Sequence, residues 1–261
     1  MDIHKYNNID KTRTFIEYIH MQMLVKSLGG SRAYGLDTSE SDMDYRGVFI
    51  NTEPSKILGL DRMDHVQKQE TDDVVYYEFR KFFELLRNGN TGALELLFTE
   101  KACLLETSVE FSEVQENKLK FVDTDKMFRC LLGYMQGERR LANGERTGQL
   151  GSKRKTQLDK YGFSPKNFTQ LYRLAYCGIV LFKDGYFPVN MKEYNTAIHE
   201  FLMSVKTQPE KHGRVELNEK ADMLEYELKK AYDNRKFSYS FDHDLANDIL
   251  RRSYLTYLIY E

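Results

Sequence analysis

The sequence predicts an α/β (α+β) fold, with a short mixed sheet in the first part of the chain and an α-helical second half. Short runs of strand-forming residues, each followed by glycine or a polar turn, occur up to about residue 80. Beyond about residue 120, the apolar residues recur almost wholly at helical spacing. With 261 residues, the chain is long enough for two modest domains with buried cores. We therefore predict one domain at residues 1–118 and an α-helical domain at residues 119–261.

Glycines and polar residues mark where the elements of the first domain end. Gly29 and Gly30 follow an apolar strand, so we expect a tight turn there. Phe79, Phe82 and Phe83 stand at helical spacing, which favours a core-facing helix over a row of base-stacking rings. The predicted elements are a helix at 11–22, strands at 23–28, 43–50 and 73–77, and helices at 52–58, 79–86 and 92–98.

The second domain is predicted to be helical apart from one segment. The predicted helices lie at 127–140, 168–182, 193–205, 217–234 and 243–257. Residues 143–167 between them are rich in glycine, polar groups and positive charge, which predicts a basic loop. Such a loop could hold the phosphates of a nucleotide or an RNA, but a solvated charged linker explains the composition equally well.

Charge and cysteine content limit the class of protein. The formal net charge is −2 with 30% charged residues, so no basic field of the whole molecule indicates nucleic-acid binding. Three widely spaced cysteines without a metal-binding pattern favour reduced thiols. No stretch approaches the ~18 uninterrupted apolar residues of a membrane helix, and no export signal is visible. We expect a cytoplasmic protein with no membrane partner.

The string SDMD at residues 41–44 places two carboxylates on alternate positions. On an extended segment Asp42 and Asp44 share one face, where they would repel each other unless a cation lay between them. Such a pair can converge on Mg²⁺, which proteins use for in-line phosphoryl transfer. The string alone also fits a surface turn, because serine and aspartate are common in turns.

The turn upstream of the acidic pair strengthens the metal interpretation. Gly30 and Ser31 follow the first predicted strand, where backbone N–H groups and a hydroxyl can approach a triphosphate closely. A strand, a Gly-Gly-Ser turn, a loop of about ten residues and then the acidic pair form a compound pattern that is far rarer than either part. This pattern predicts a nucleotide site with divalent cations.

These residues resemble the hallmark of the DNA polymerase beta-like nucleotidyltransferase superfamily, hG[G/S] followed by Dh[D/E]h. Gly30, Ser31 and residues 42–45 match it position by position. The longer stretch GSRAYGLDTSESDMDYRGVF is similar to predicted nucleotidyltransferases associated with RNA-repair ligases in bacteria and phages. The strings LELLF at 94–98 and LYRL at 171–174 match further motifs of that group.

The resemblance implies an NTP-dependent enzyme in which Asp42 and Asp44 bind Mg²⁺, with Mn²⁺ as an alternative metal. It also implies a third carboxylate on a neighbouring strand. Asp73 is the candidate, because it opens the predicted strand DVVYY, and it would serve as a metal ligand or as the base for an attacking hydroxyl. Gly30 and Ser31 would engage the phosphates.

Four cations are candidates for nucleotide binding. Arg32 and Arg46 directly follow the glycine turn and the acidic pair, so they can reach phosphates or pair with nearby carboxylates. Lys166 and Arg173 come from the helical half, which in the superfamily closes over the nucleotide.

The expected reaction is transfer of NMP from an NTP such as ATP to a hydroxyl, with release of pyrophosphate. An RNA 3′ end or tRNA, a protein hydroxyl and a small molecule all fit as acceptor. The alternative is a non-catalytic nucleotide-binding regulator or antitoxin-like protein. A pure binder, however, has no need of a repulsive acidic pair.

Overall fold

A five-stranded mixed sheet forms the first part of the molecule. The computed structural model of the chain describes residues 20–69, 72–145 and 152–259. The strands are β1 (Met21–Leu28), β2 (Asp44–Asn51), β3 (His65–Gln69), β4 (Asp73–Glu78) and β5 (Leu104–Thr107). Their order in the sheet is β3-β4-β2-β1-β5. Strands β2 and β4 run parallel and the other neighbours antiparallel, which confirms the predicted short mixed sheet.

Helices connect the strands and make up the second half. The helices of the first part are α1 (Gly30–Ala33), α2 (Pro54–Leu58), α3 (Phe79–Arg87), α4 (Thr91–Phe98) and α5 (Val109–Glu116). The later helices are α6 (Thr124–Ala142), α7 (Ser152–Tyr161), α8 (Pro165–Asp184), α9 (Met191–Tyr194), α10 (Thr196–Thr207), α11 (Arg214–Asp233) and α12 (His243–Ile259). The described chain has no strand after β5, so the predicted helical second half is confirmed.

The aromatic residues of α3 lie in the core. Phe79 and Phe82 are fully buried and Phe83 nearly so, which confirms the core interpretation over a base-stacking platform. The apolar core runs without a break from the sheet into the helices of the second half. The division into domains at residue 118 therefore has no gap in the core to mark it and stays a prediction.

Strands β3 and β5 and helix α5 were not predicted from the sequence. The two strands occupy opposite edges of the sheet, where a strand has one neighbour and needs fewer apolar residues. β3 reads HVQKQ and β5 has only four residues, so neither carries a clear period-two pattern.

Two predicted segments differ from the structure. Met21 and Gln22 belong to β1, so the predicted helix at 11–22 is wrong at its end, and residues 11–19 lie outside the described residues. The predicted loop at 143–167 is wrong over α7, because long unbranched polar side chains favour a helix even without an apolar face. Residues 146–151 of that segment lie outside the described residues.

Among the helices of the described residues, none combines the length and the apolar character needed to cross a lipid bilayer.

Candidate active site

The parallel pairing of β2 and β4 brings two candidate carboxylates side by side. Asp44 opens β2 and Asp73 opens β4, and the register of the two strands places them directly opposite each other. Residues opposite each other on neighbouring strands point to the same face of the sheet and lie about 5 Å apart. The structure therefore brings Asp73, the candidate third carboxylate, next to Asp44 of the motif.

The glycine turn lies directly against Asp44. Gly30 has a positive φ of 56°, and a β-carbon built on it would stand 1.7 Å from Oδ2 of Asp44. A β-carbon on Gly29 would stand 2.7 Å from Cγ of Arg46. The Gly29 N–H also donates a hydrogen bond to the Asp44 carbonyl at 2.8 Å. Both positions therefore need glycine, because a side chain there would collide with β2. At Gly30 the collision would be with the Asp44 carboxylate.

The surroundings of Asp44 disfavour the charged form of its carboxylate. Burial raises its pKa, and the negative charges of Asp73 and Asp42 raise it further, while Arg46 and Lys166 offset part of this shift. Asp42 is exposed and precedes β2, so only Asp44 belongs to the strand, and the predicted placement of both acids on one strand face is wrong. Strand β2 begins at Asp44, the residue that pairs with Asp73 at the start of β4.

Arg46 pairs with the third carboxylate. Its guanidinium donates to Oδ2 of Asp73 at 3.0 Å and to the Asp73 carbonyl at 3.1 Å. The other carboxylate oxygen, Oδ1, is buried and accepts no hydrogen bond from the described residues. A buried carboxylate oxygen without a donor is one that a cation can satisfy.

Arg32 contacts the loop between the glycine turn and β2. It donates to the carbonyl of Ser41 at 3.1 Å and lies 3.6 Å from the Asp37 carboxylate. Ser31 is half-buried in α1, and its carbonyl accepts a hydrogen bond from Leu36 N–H at 2.8 Å. Both residues therefore stand beside the glycine turn, and their contact with a nucleotide stays a prediction.

The two candidate cations of the helical half differ in position. Lys166, in the first turn of α8, is exposed and close enough to lower the pKa of Asp44. Arg173, two turns later, is 0% exposed, pairs with Glu95 at 2.5 Å, and stacks on the Tyr34 ring at 3.6 Å. Arg173 is thus committed to a buried pair, and a direct nucleotide contact would require it to leave that pair.

Lys206 of α10 contacts the backbone that follows the glycine turn, which sequence reasoning did not predict. Its ammonium donates to the carbonyl of Leu36. Burial lowers the pKa of Lys206 and the charge of Lys166 lowers it further, whereas Asp37 opposes the shift. A single lysine on an amphipathic helix carries no sequence signal, so only the packing of α10 against the loop reveals it.

The described residues contain no group of three or more His, Cys, Asp or Glu side chains gathered to hold a metal ion. Asp44 and Asp73 nevertheless offer what Mg²⁺ prefers, carboxylate oxygens at one place, of which one is buried without a donor. Burial and then the nearby negative charges raise the pKa of Asp44, and a cation beside the carboxylate would offset both effects. The residues therefore fit a divalent cation held by this pair, with Asp42 nearby.

Comparisons with known proteins identify the family of this chain. The chain is 27% identical over 128 residues to an uncharacterized 38.9 kDa protein from the nrdC-mobD intergenic region of Enterobacteria phage T4. The match covers 44% of this chain and 37% of the phage protein, so the chain spans only about a third of that relative. The model of the RlaP family, described as an RNA repair pathway DNA polymerase beta family, matches residues 5–252. That family suggests a nucleotidyltransferase. Because its model matches nearly the whole chain, this protein belongs to the RNA repair pathway DNA polymerase beta family.

Proposed function

We propose that the protein is a metal-dependent nucleotidyltransferase that moves NMP from an NTP to a hydroxyl, with the hydroxyl of an RNA end as acceptor. One observation carries the proposal. Gly30 lies against the carboxylate of Asp44, which stands in register with Asp73, so that turn and acids meet at one point. A phosphate tail at the turn would then have its reacting end beside the carboxylates.

The residues of the chain have separate tasks in this proposal. The backbone N–H groups near Gly30 and the hydroxyl of Ser31 bind and orient the phosphates. Lys166 reaches the same place from the helical half and adds positive charge opposite the acids. Arg46 holds Asp73 in place through its hydrogen bond to Oδ2.

Asp44 and Asp73 would hold Mg²⁺, with Mn²⁺ as an alternative, and Asp42 would contribute from the loop. When bound, the metal supplies neutralisation of the charge that develops on the phosphate oxygens. The acceptor oxygen forms a bond to the α-phosphorus while the bond to the bridging oxygen of pyrophosphate breaks. The hydroxyl proton goes to the Asp73 carboxylate if Asp73 acts as the base, and to water if Asp73 acts only as a metal ligand.

The alternative is a nucleotide-binding regulator without turnover. One observation favours it, namely that Arg46 already occupies one oxygen of Asp73. A regulator would bind an NTP and transfer nothing. Protein hydroxyls and small molecules remain alternative acceptors, because the same acidic pair would serve them.

The test incubates the protein with each α-labelled NTP, Mg²⁺ or Mn²⁺, and tRNA, single-stranded RNA, cell lysate or a panel of small-molecule alcohols. We expect label to appear in RNA and to be lost in Asp42→Ala and Asp44→Ala. Glu40→Ala is the matched control, because Glu40 is an exposed acid of the same loop. The cell lysate is a cytoplasmic extract, because we propose a cytoplasmic enzyme.

The outcomes separate the candidates. Label in lysate protein or in a small molecule would replace RNA as the acceptor while keeping the reaction. NTP binding without transfer to any acceptor would support the regulator. Transfer that persists in Asp44→Ala at the wild-type rate would overturn the proposal.

A further inference from the structure

The backbone directly after the glycine turn is held by the helical half of the chain. We call residues 34–36 the post-turn segment. Each of its three carbonyl groups lies within hydrogen-bonding distance of a donor from α9 or α10. The three bonds are Met191 N to Tyr34 O at 2.9 Å, His199 Nε2 to Gly35 O at 2.8 Å, and Lys206 Nζ to Leu36 O. Three consecutive peptide groups are thus fixed from one side.

The Tyr34 side chain and the Gly35 backbone of the post-turn segment are also in close contact with other parts of the chain. The Tyr34 ring lies 3.6 Å from the guanidinium carbon of Arg173, and its hydroxyl donates to Glu95 at 2.6 Å. Gly35 has a positive φ of 65°, and a β-carbon there would stand 2.4 Å from Oδ1 of Asn190. The helical half therefore contacts this segment at van der Waals distance as well as through hydrogen bonds.

The glycine turn is anchored at its other end by the sheet. The Gly29 N–H donates to the Asp44 carbonyl at 2.8 Å, and the Leu36 N–H donates to the Ser31 carbonyl at 2.8 Å. The turn is consequently held between β2 and the post-turn segment. Backbone N–H groups bind an anion best when they are already in place, because the ligand then does not have to order them.

We infer that His199 and Lys206 are positioning residues that set the backbone of the glycine turn for phosphate binding. They act through the carbonyls of the post-turn segment and need not touch the nucleotide. The inference rests on the proposed function, because it takes the turn as the phosphate site. It gives the helical half a task in the nucleotide-free protein, before any ligand binds.

A direct phosphate contact by Lys206 is the competing explanation. Its ammonium is already bonded to the Leu36 carbonyl, and its side chain is half-buried. His199 bonds to the neighbouring carbonyl and shares the same segment. Positioning changes the free protein, whereas a direct contact changes only the complex, so a measurement without nucleotide separates the two.

The experiment compares Lys206→Met and His199→Phe with the wild type, since both substitutions keep the bulk of the side chain and remove the donor. Amide hydrogen–deuterium exchange of a peptide covering residues 29–37 is measured without nucleotide, and the affinity for ATP is measured in Mg²⁺. We expect exchange to rise and ATP affinity to fall by about threefold to tenfold, the effect of one lost hydrogen bond. Thermal unfolding verifies that each variant folds.

Three further variants test whether Lys206 and His199 act by positioning the backbone. Lys183→Met removes an exposed lysine from α8 and should leave exchange and affinity unchanged. Lys206→Arg keeps a donor and should restore most of both. In the double variant of Lys206 and His199 the losses of affinity should be less than additive, because both residues act on one segment.

The inference is overturned if the exchange of residues 29–37 stays at its wild-type rate in both variants, or if it rises while ATP affinity is unchanged. A fall in ATP affinity with unchanged exchange would make Lys206 a direct phosphate ligand instead. Should the wild type bind neither ATP nor GTP, CTP or UTP measured in the same way, the proposed function fails first and takes the inference with it. Wild-type binding with equal binding by the variants sinks the inference alone.

Discussion

Two clusters of charged residues lie close together in this protein and are compensated very differently. On α8, the buried guanidinium of Arg173 meets the single carboxylate of Glu95 and the ring of Tyr34. At the start of β2 and β4, the charges of Asp44 and Asp73, with Asp42 nearby, are offset only in part by Arg46 and Lys166. The first cluster is balanced one to one. The second carries excess negative charge in a half-buried place.

The difference indicates which cluster is structural and which is functional. A balanced buried pair needs nothing from outside the protein, although removing one partner leaves an uncompensated charge. Burial and the neighbouring negative charges raise the pKa of Asp44, so its charged form destabilises the fold until a cation or a proton neutralises it. Proteins keep locally destabilising residues of this kind mainly where function requires them.

The largest expected effect tests the acidic cluster. Asp44→Asn keeps the shape of the side chain and removes its charge, so we expect nucleotidyl transfer to fall by about 1,000-fold. Single-turnover assays with saturating NTP and metal measure this loss. If the variant keeps its activity, the negative charge of Asp44 is not needed for catalysis.

The next effect tests the balanced cluster. Glu95→Gln leaves Arg173 buried without a negative partner, and we expect the free energy of unfolding to drop by about 3 kcal/mol. Denaturant unfolding measures the change. The double variant Glu95→Leu with Arg173→Met should recover much of that loss, since it removes both charges. If the single variant is as stable as the wild type, the pair is not a structural element.

A smaller effect tests the contact between turn and acid. Gly30→Ala forces a side chain into a positive φ and toward Oδ2 of Asp44, so we expect a loss of about 2 kcal/mol and weaker NTP binding. Gly137→Ala is the matched control, because a β-carbon there meets nothing within 4 Å. It should be neutral or slightly stabilising, as expected for alanine in a helix. Equal behaviour of the two variants would contradict the close approach at Gly30.

The smallest effect is a pH dependence of stability at Asp44. Its pKa is raised in the folded protein, so the charged carboxylate destabilises the fold, and Asp44→Asn should raise the unfolding temperature at neutral pH without metal. Solvent screens a half-buried group, so the gain should be small, about 2 °C. Below the ordinary carboxyl pKa the group is neutral in both states, and the gain should vanish there. Thermal scans in EDTA across this pH range measure it, and a gain that grows toward low pH has the wrong sign.

The residues that sequence reasoning placed best are close together in the chain. Gly30, Ser31 and Asp44 belong to one strand–turn–strand unit, and local geometry leaves few ways to arrange them. Helices with strong apolar spacing, such as α3 and α8, were likewise predictable, because the spacing directly reflects the face that is buried.

The sequence by itself determined the class of fold, the positions of the long helices and the unit that joins the glycine turn to Asp44. Tertiary structure decided the rest. It pairs Arg46 with Asp73, buries Arg173 against Glu95, and brings Lys206 to a carbonyl 170 residues away. The physical reason is that the role of a charged side chain depends on its burial and its neighbours, and both are set by contacts between distant parts of the chain.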